Sequence, residues 1–210
     1  MKLINISVGM PKIVEAGEGF VSTAIFKDQV KGRVRVNELN LEGDRQADLT
    51  LHGGWAKSVY AYPHEHYHSW SAELPDYTLT NANFGENLAT DGLMETNVFI
   101  GDKLRIGSAE FVVTQPRMPC YKLGIRFGRK DILRRFLVSR RTGFYLAVLK
   151  TGVIEPGDDI EIMSRDENGV SVDDIVRIFA FEKDDKTTTE RALKVEALPD
   201  GWKEAFRERL

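Results

Sequence analysis

Val98-Phe99-Ile100-Gly101-Asp102-Lys103-Leu104-Arg105-Ile106 reads as two short apolar strand pieces joined by a Gly-Asp turn. The same device returns at Val153-Ile154-Glu155-Pro156-Gly157-Asp158-Asp159-Ile160-Glu161-Ile162. Shared turn chemistry accounts for the likeness, without a duplicated unit. Between the two lie a helical stretch, about 121–139, and a strand at Phe144 to Leu149. Toward the N-terminus, residues 3–8 alternate apolar and polar, and Phe20 to Lys27 and Val30 to Val36 read as two further strands. Leu49 with Leu51, then Val59 to Tyr62, add two short ones separated by Gly53-Gly54. Pro63 suits the first turn of a helix running to about Trp70, and 75–95 is a looser segment. Many short strands with glycine-bounded turns and few long helices predict a mainly β (α+β) chain, antiparallel and β-barrel-like.

The pattern changes near Arg165-Asp166-Glu167-Asn168-Gly169. Beyond it Val172, Ile175, Val176 and Phe179 fall at helical spacing, as do Trp202, Phe206 and Leu210. Thr187-Thr188-Thr189-Glu190 reads as a helix start. The expected organisation is a β domain over residues 1–165 and a small three-helix domain over 170–210. Residues 171–210 hold eight Lys/Arg against ten Asp/Glu, which argues against a phosphate-binding face and so against DNA recognition.

The 210 residues carry a formal charge of −3, which gives no case for nucleic acid or an anionic membrane as a partner. A single cysteine excludes a disulfide framework within the chain. Met1 to Asn5 turns polar too soon for a signal peptide, and no apolar run approaches the ~20 residues of a membrane span. A cytoplasmic protein is expected.

That cysteine stands at the end of Gln115-Pro116-Arg117-Met118-Pro119-Cys120, after the strand-like Phe111 to Thr114 and before a helix. A stiffly held thiol beside a cation suits a nucleophile or a soft metal ligand, because the positive charge favours the thiolate. Taken alone, an unpaired cysteine is more often a small buried hydrophobe. Elsewhere, His64-Glu65-His66-Tyr67-His68 contains the H-E-x-x-H pattern of zinc hydrolases, with His64 and His68 as ligands on one helical face. It follows a proline directly, and the only other histidine, His52, lies upstream. Lys27, Arg33, Arg35, Arg45, Lys57 and Arg117, together with the glycine-punctuated loops Gly43 to Asp48 and His52-Gly53-Gly54, compose a possible anion cradle. Solvated surface charge is the plainer reading of the same residues. No Walker or dinucleotide fingerprint is present.

In order along the chain, Gly43 to Asp48, His52-Gly53-Gly54, Lys57, Val59 to Pro63, Phe84-Gly85-Glu86-Asn87-Leu88, Ile100-Gly101-Asp102 and Pro116 to Cys120 resemble MOSC-domain proteins, most closely the YiiM-like, hydroxylaminopurine-resistance-like branch. The likeness covers nearly the whole chain, since that branch also ends in three helices. In that pattern Pro63, Glu65, Tyr67 and Trp70 hold the patterned positions and the three neighbouring histidines fall on variable ones. The resemblance implies a β-barrel-like domain that binds molybdenum cofactor (molybdopterin with Mo), with Cys120 ligating the metal and Arg117 near it. It places Lys27 and Arg45 at the cofactor's phosphate, Asn87 near the pterin, and Gly53, Gly54 and Gly85 against the cofactor. His52 and Lys57 are candidates for proton delivery or cofactor contact. The implied activity is reduction of small N-hydroxylated compounds to amine and water, a detoxification independent of pyridoxal phosphate. Electrons would come from a separate reductase, since no flavin or iron–sulfur motif is present. The alternative is a sulfur carrier, with Cys120 as a persulfide, or a molybdenum-cofactor binding protein without that activity; a zinc hydrolase at His64 and His68 is the minor alternative.

Overall fold

The computed structural model describes residues 1–48 and 53–210. The expected strand at Leu49 and Leu51, and His52, lie outside the described residues. Eight strands form one mixed sheet. In chain order they are β1 (Lys2–Val8), β4 (Asp28–Val30), β6 (Val59–Pro63), β7 (Leu88–Asp91), β8 (Lys103–Ile106), β9 (Ala109–Pro116), β10 (Phe144–Lys150) and β12 (Ile160–Ser164). Two ribbons stand apart: β2 (Lys12–Ala16) with β3 (Gly19–Thr23), and β5 (Val34–Val36) with β11 (Gly152–Ile154). The spatial order is β12-β8-β9-β10-β6-β7-β1-β4. Among the described residues every strand pairing is antiparallel except β6 with β7, so the antiparallel expectation is corrected at that one junction. The sheet curls without closing as a ladder. Leu3 N–H donates to Asp158 C=O at 2.9 Å and Gly157 N–H to Leu3 C=O at 2.7 Å, which draws β1 against the approach to β12.

The two Gly-Asp stretches are not hairpins. Only Lys103–Ile106 of the first is a strand. The backbone before it bonds elsewhere, Ile100 N–H to Val170 C=O and Gly101 N–H to Val113 C=O, while buried Asp102 accepts from Phe99 N–H at 3.1 Å. In the second stretch, β11 pairs with β5 and β12 with β8, so the turn joins two different sheets. The single strand expected over Val30 to Val36 is likewise divided. Gly32 sits at φ 85°, and β4 and β5 on either side of it serve different sheets. Residues 24–27 are not a strand, and β7 occupies the segment read as loose.

Pro63 ends β6 instead of opening a helix, and α1 spans His66–Glu73. The helical stretch after Cys120 breaks into α2 (Tyr121–Phe127) and α3 (Ile132–Ser139), because Gly128 adopts a left-handed φ of 65° that ends α2. The last three helices are α4 (Val172–Ala180), α5 (Lys186–Lys194) and α6 (Asp200–Arg207). A Ser171–Asp174 capping box starts α4. The cap of α5 is Asp185, whose side chain accepts from Thr188 N–H, and not the threonine run itself. Val172, Ile175, Ala192 and Phe206 bury into the same core as Leu104, Phe111 and Val113, so the helices pack directly on the sheet. A second, aromatic core lies beside it, with Tyr62, Trp70, Phe84 and Phe136 fully buried. Among the described residues no helix is long and apolar enough to cross a membrane.

Candidate functional site

β9 runs out of the core and delivers Arg117 and Cys120 to one cavity. Arg117 is only 6% exposed. Its guanidinium carbon lies 5.0 Å from the Tyr60 ring centroid and 5.4 Å from that of Phe136, so aromatic faces support it in place of a carboxylate. Its Nη1 is buried and makes no hydrogen bond among the described residues. Burial opposes the charge, but Tyr60, Tyr145 and Cys120 favour it and hold the group above the usual arginine range. Cys120 follows as the N-cap of α2, in extended conformation and partly exposed. Its carbonyl accepts from Leu123 N–H at 2.9 Å, which locks the thiol-bearing residue to the start of the helix.

The aromatic support is itself fixed. Tyr60 O–H donates to Thr142 C=O at 2.8 Å. Tyr62 stacks on Phe84 with centroids 4.6 Å apart, and Trp70 on Phe136. His66 Nε2 lies 2.7 Å from Glu95 Oε2, and the other Glu95 oxygen accepts from Gly143 N–H at 2.7 Å. Gly143 C=O in turn accepts from Arg117 N–H. A Cβ at Gly143 would fall 2.4 Å from Ala61 O, so only glycine fits this turn. The histidine-rich stretch therefore braces the cavity wall. His64 precedes α1 and stacks on Tyr67, so H-E-x-x-H is not displayed on one helical face. Among the described residues no group of three His, Cys, Asp or Glu is placed to hold a metal ion.

The opposite wall is charged. Lys27 and Asp44 form a buried ion pair, and Asp44 Oδ1 also accepts from Gly9 N–H at 2.8 Å. Burial pulls the Lys27 pKa down, and Asp44 offsets only part of that pull. Arg45 is exposed at the rim, with its N–H donating to Gly9 C=O. Asp28, next to Lys27, is exposed and does not line this cavity. Asn87 lines it, but its amide is engaged, accepting from Tyr60 N–H and donating to Ser7 C=O. Glu86 faces away and anchors its own loop, accepting from Tyr67 O–H and from the N–H groups of Ala82 and Phe84. Burial raises its pKa, and those hydrogen bonds oppose the rise.

Lys27, Arg45, Lys57, Gly85, Asn87, Arg117 and Cys120 thus share one cavity. Gly53 and Gly54 do not line it. They border a neighbouring cleft with Trp55, Phe179 and Trp202, and Lys57 faces both spaces. Burial lowers the Lys57 pKa. Its turn is pinned from β9, with Thr114 Oγ1 and Gln115 Nε2 donating to Ala56 C=O, and Trp202 of α6 donates to Gln115 Oε1 at 2.8 Å. Sequence reasoning missed Tyr60, Tyr145 and Lys122 on the cavity wall and the Lys27–Asp44 pair. Every residue of β6 is buried, so alternation could not say which tyrosine faces the cavity.

Residues 48–161 match the MOSC domain and residues 170–210 the YiiM-like, 3-alpha helix domain. YflK of Bacillus subtilis (strain 168) is 41% identical over 204 residues, covering 97% of this chain and 92% of that protein. A protein named reductase from Gibberella moniliformis is 36% identical over 180 residues, which are 84% of this chain but 32% of that longer protein. The crystal structure of YiiM from Geobacillus stearothermophilus superposes with a TM-score of 0.84 at 31% identity, covering 100% of this chain and 98% of that one. The chain belongs to the MOSC-domain family. Its C-terminal helices and the YiiM structure place it in the YiiM-like branch. MOSC domains are associated with molybdenum cofactor.

Proposed function

We propose that the Cys120 cavity binds molybdenum cofactor and that the protein is a cytoplasmic reductase of small N-hydroxylated compounds, such as base analogues and amidoximes. The observation that carries this reading is a partly exposed thiol sharing its cavity with a buried arginine that keeps a spare N–H donor. These residues fit the group: a soft thiolate suits molybdenum, and the spare donor suits an oxygen ligand or substrate oxygen. Bound there, the cofactor supplies the two-electron exchange of R–NHOH + 2e⁻ + 2H⁺ → R–NH₂ + H₂O. The chain supplies placement and charge. Cys120 ligates the metal, and Arg117 holds the thiol as thiolate and donates to the oxygen as negative charge develops. Arg45 contacts the phosphate, with Lys27 contributing less because Asp44 already balances it. Gly85 and Asn87 shape the pterin end. Lys57 delivers protons, Gly53 and Gly54 present backbone beside it, and His52 keeps its assignment to proton delivery or cofactor contact.

In this reading residues 1–165 carry the site, and 170–210 form the second domain, which steadies the Lys57 turn through Trp202 and Gln115. Electrons arrive from a separate reductase. The reductase-named relative, in which the matched region is a minor part of a longer chain, supports that pairing. Neither nucleic acid nor a membrane is a partner. Anaerobic purification from a host that makes the cofactor, followed by Mo, Zn and labile-sulfur analysis, tests the assignment. Near-stoichiometric Mo that disappears in Cys120→Ala is expected. Labile sulfur on Cys120 without Mo would move the assignment to the sulfur carrier. Loss of an N-hydroxylated purine or amidoxime under a chemical reductant tests the activity separately.

A further inference from the structure

Two cations from different elements converge on one ring outside the Cys120 cavity. Lys12 Nζ, on β2, lies 4.7 Å from the Phe26 centroid, and Arg126 Cζ, in the last turn of α2, lies 4.9 Å from it. The two charges are therefore within about 10 Å of each other, about one Debye length at 0.1 M salt. Neither has a carboxylate partner among the described residues. Arg126 Nε is buried and makes no hydrogen bond there. Both side chains wall a polar cleft with Gln29 and Asn81, whose amides are bonded to each other at 3.0 Å. One carboxylate, Asp28, lies on the same wall. Lys27 lines this cleft as well as the Cys120 cavity, so the two spaces adjoin at that residue.

Like charges placed together without a counter-ion repel, and an intervening anion removes that cost. A guanidinium that shares a cleft with an ammonium matches a phosphate group, which accepts several charge-assisted hydrogen bonds at once. We propose that this cleft is an anion subsite, separate from the Cys120 cavity, that takes a phosphate group on Lys12 and Arg126. The phosphate either belongs to a ligand that continues past Lys27 into the Cys120 cavity or is free inorganic phosphate. Occupation ties the β2–β3 ribbon to α2, the helix that begins at Cys120. Asp28 opposes the anion and keeps the affinity moderate.

The test is calorimetric titration of the purified full chain, cofactor-free and at low ionic strength, with inorganic phosphate, AMP and adenosine. Phosphate and AMP should bind and adenosine should not. Lys12→Gln and Arg126→Gln should each weaken phosphate about tenfold, the effect of one lost charge-assisted contact. Asp28→Asn should tighten it severalfold, and Arg126→Lys should fall between wild type and Arg126→Gln. Arg45→Gln removes the phosphate contact proposed for the Cys120 cavity, so the Lys12 and Arg126 variants are read in that background, where the phosphate site of this cleft should persist. If Arg45→Gln weakens AMP, the ligand spans both spaces; if it leaves AMP unchanged, the phosphate alone is recognised. Absence of saturable phosphate binding overturns the proposal. So does binding that, with Arg45→Gln already in place, survives both Lys12→Gln and Arg126→Gln, or that falls equally with Lys103→Gln on β8. None of these outcomes depends on metal content or turnover.

Discussion

Lys27 and Arg117 both bring positive charge into the Cys120 cavity, one from the loop before β4 and the other from the end of β9. Lys27 has its own counter-ion, Asp44, and still has a lowered pKa because burial outweighs that partner. Arg117 is buried with no carboxylate contact among the described residues, yet the phenols and the thiol around it favour its charge. A cation with a resident carboxylate chiefly organises the loops around it, here Gly9 and Asp44. A cation seated on rings with a donor to spare keeps its charge available to whatever enters. Under the proposed function, the contrast gives structure to one side of the cavity and chemistry to the other.

The largest expected effect comes from breaking the paired side. Asp44→Asn leaves the Lys27 ammonium buried without its partner and should cost about 3–5 kcal/mol in urea unfolding. Lys27→Met in the same chain should recover most of that loss. The pH dependence has a definite sign. The folded-state pKa of Lys27 lies below 10.5, so between the two values the unfolded chain binds more protons and stability rises with pH. The Asp44→Asn deficit should therefore be greatest at neutral pH and shrink as the solution becomes alkaline. A deficit that stays constant up to pH 10.5 would sink the ion-pair account.

Breaking the unpaired side should spare stability more than activity. Arg117→Met keeps length and apolar contact with Tyr60 and Phe136 but removes charge and donor. Turnover of an N-hydroxylated substrate should fall by about 10²–10³, the usual cost of one lost donor at a developing oxyanion. Alkylation of Cys120 by iodoacetamide at neutral pH should slow about tenfold as thiolate is lost. Arg117→Lys restores charge without the planar fork, so it should recover alkylation more than turnover. Equal loss of both in Arg117→Lys would mean that shape, not charge, is what the position supplies.

How much of this was legible before the structure depends on where the backbone bonds go. β10 and the C-terminal helices follow their periodicity, the helices because their hydrogen bonds are local and β10 because it is paired on both sides, by β9 and β6. Val98 to Ile106 misleads because Ile100 and Gly101 bond to Val170 and Val113, partners with no local signature. Val30 to Val36 alternates correctly on both sides of Gly32, and nothing in alternation says that the halves serve different sheets. The residues gathered around Cys120 were visible as motifs resembling a family. The Lys27–Asp44 pair was not, since no spacing rule links two loop residues 17 apart. Glu86 shows the converse: it is part of a recognisable motif, yet its carboxylate holds its own loop together and ties it to Tyr67 of α1 instead of lining the cavity.

A smaller effect should come from the link that ties the C-terminal helices to the cavity. Trp202→Phe keeps the ring against Phe179 but removes the hydrogen bond to Gln115, at a cost of about 1 kcal/mol in thermal or urea unfolding. The freed Gln115 also holds Ala56, so exchange of the amides around Trp55–Lys57 should accelerate with it. Unchanged exchange there would show that the helices and the turn are independent.

The smallest change is expected at Lys57, the cation facing both the Cys120 cavity and the cleft under α6. Burial places its pKa below 10.5, so turnover that needs the protonated amine should decline as pH rises through that lowered value. Lys57→Arg stays charged throughout. Its plateau rate at neutral pH should stay within about threefold of wild type, and the alkaline limb should move upward. Lys57→Gln should remove that limb altogether and lower the plateau. A limb that stays in place in both variants belongs to another group, and Lys57 then joins Lys27 as a cation that shapes the cavity without taking part in proton delivery.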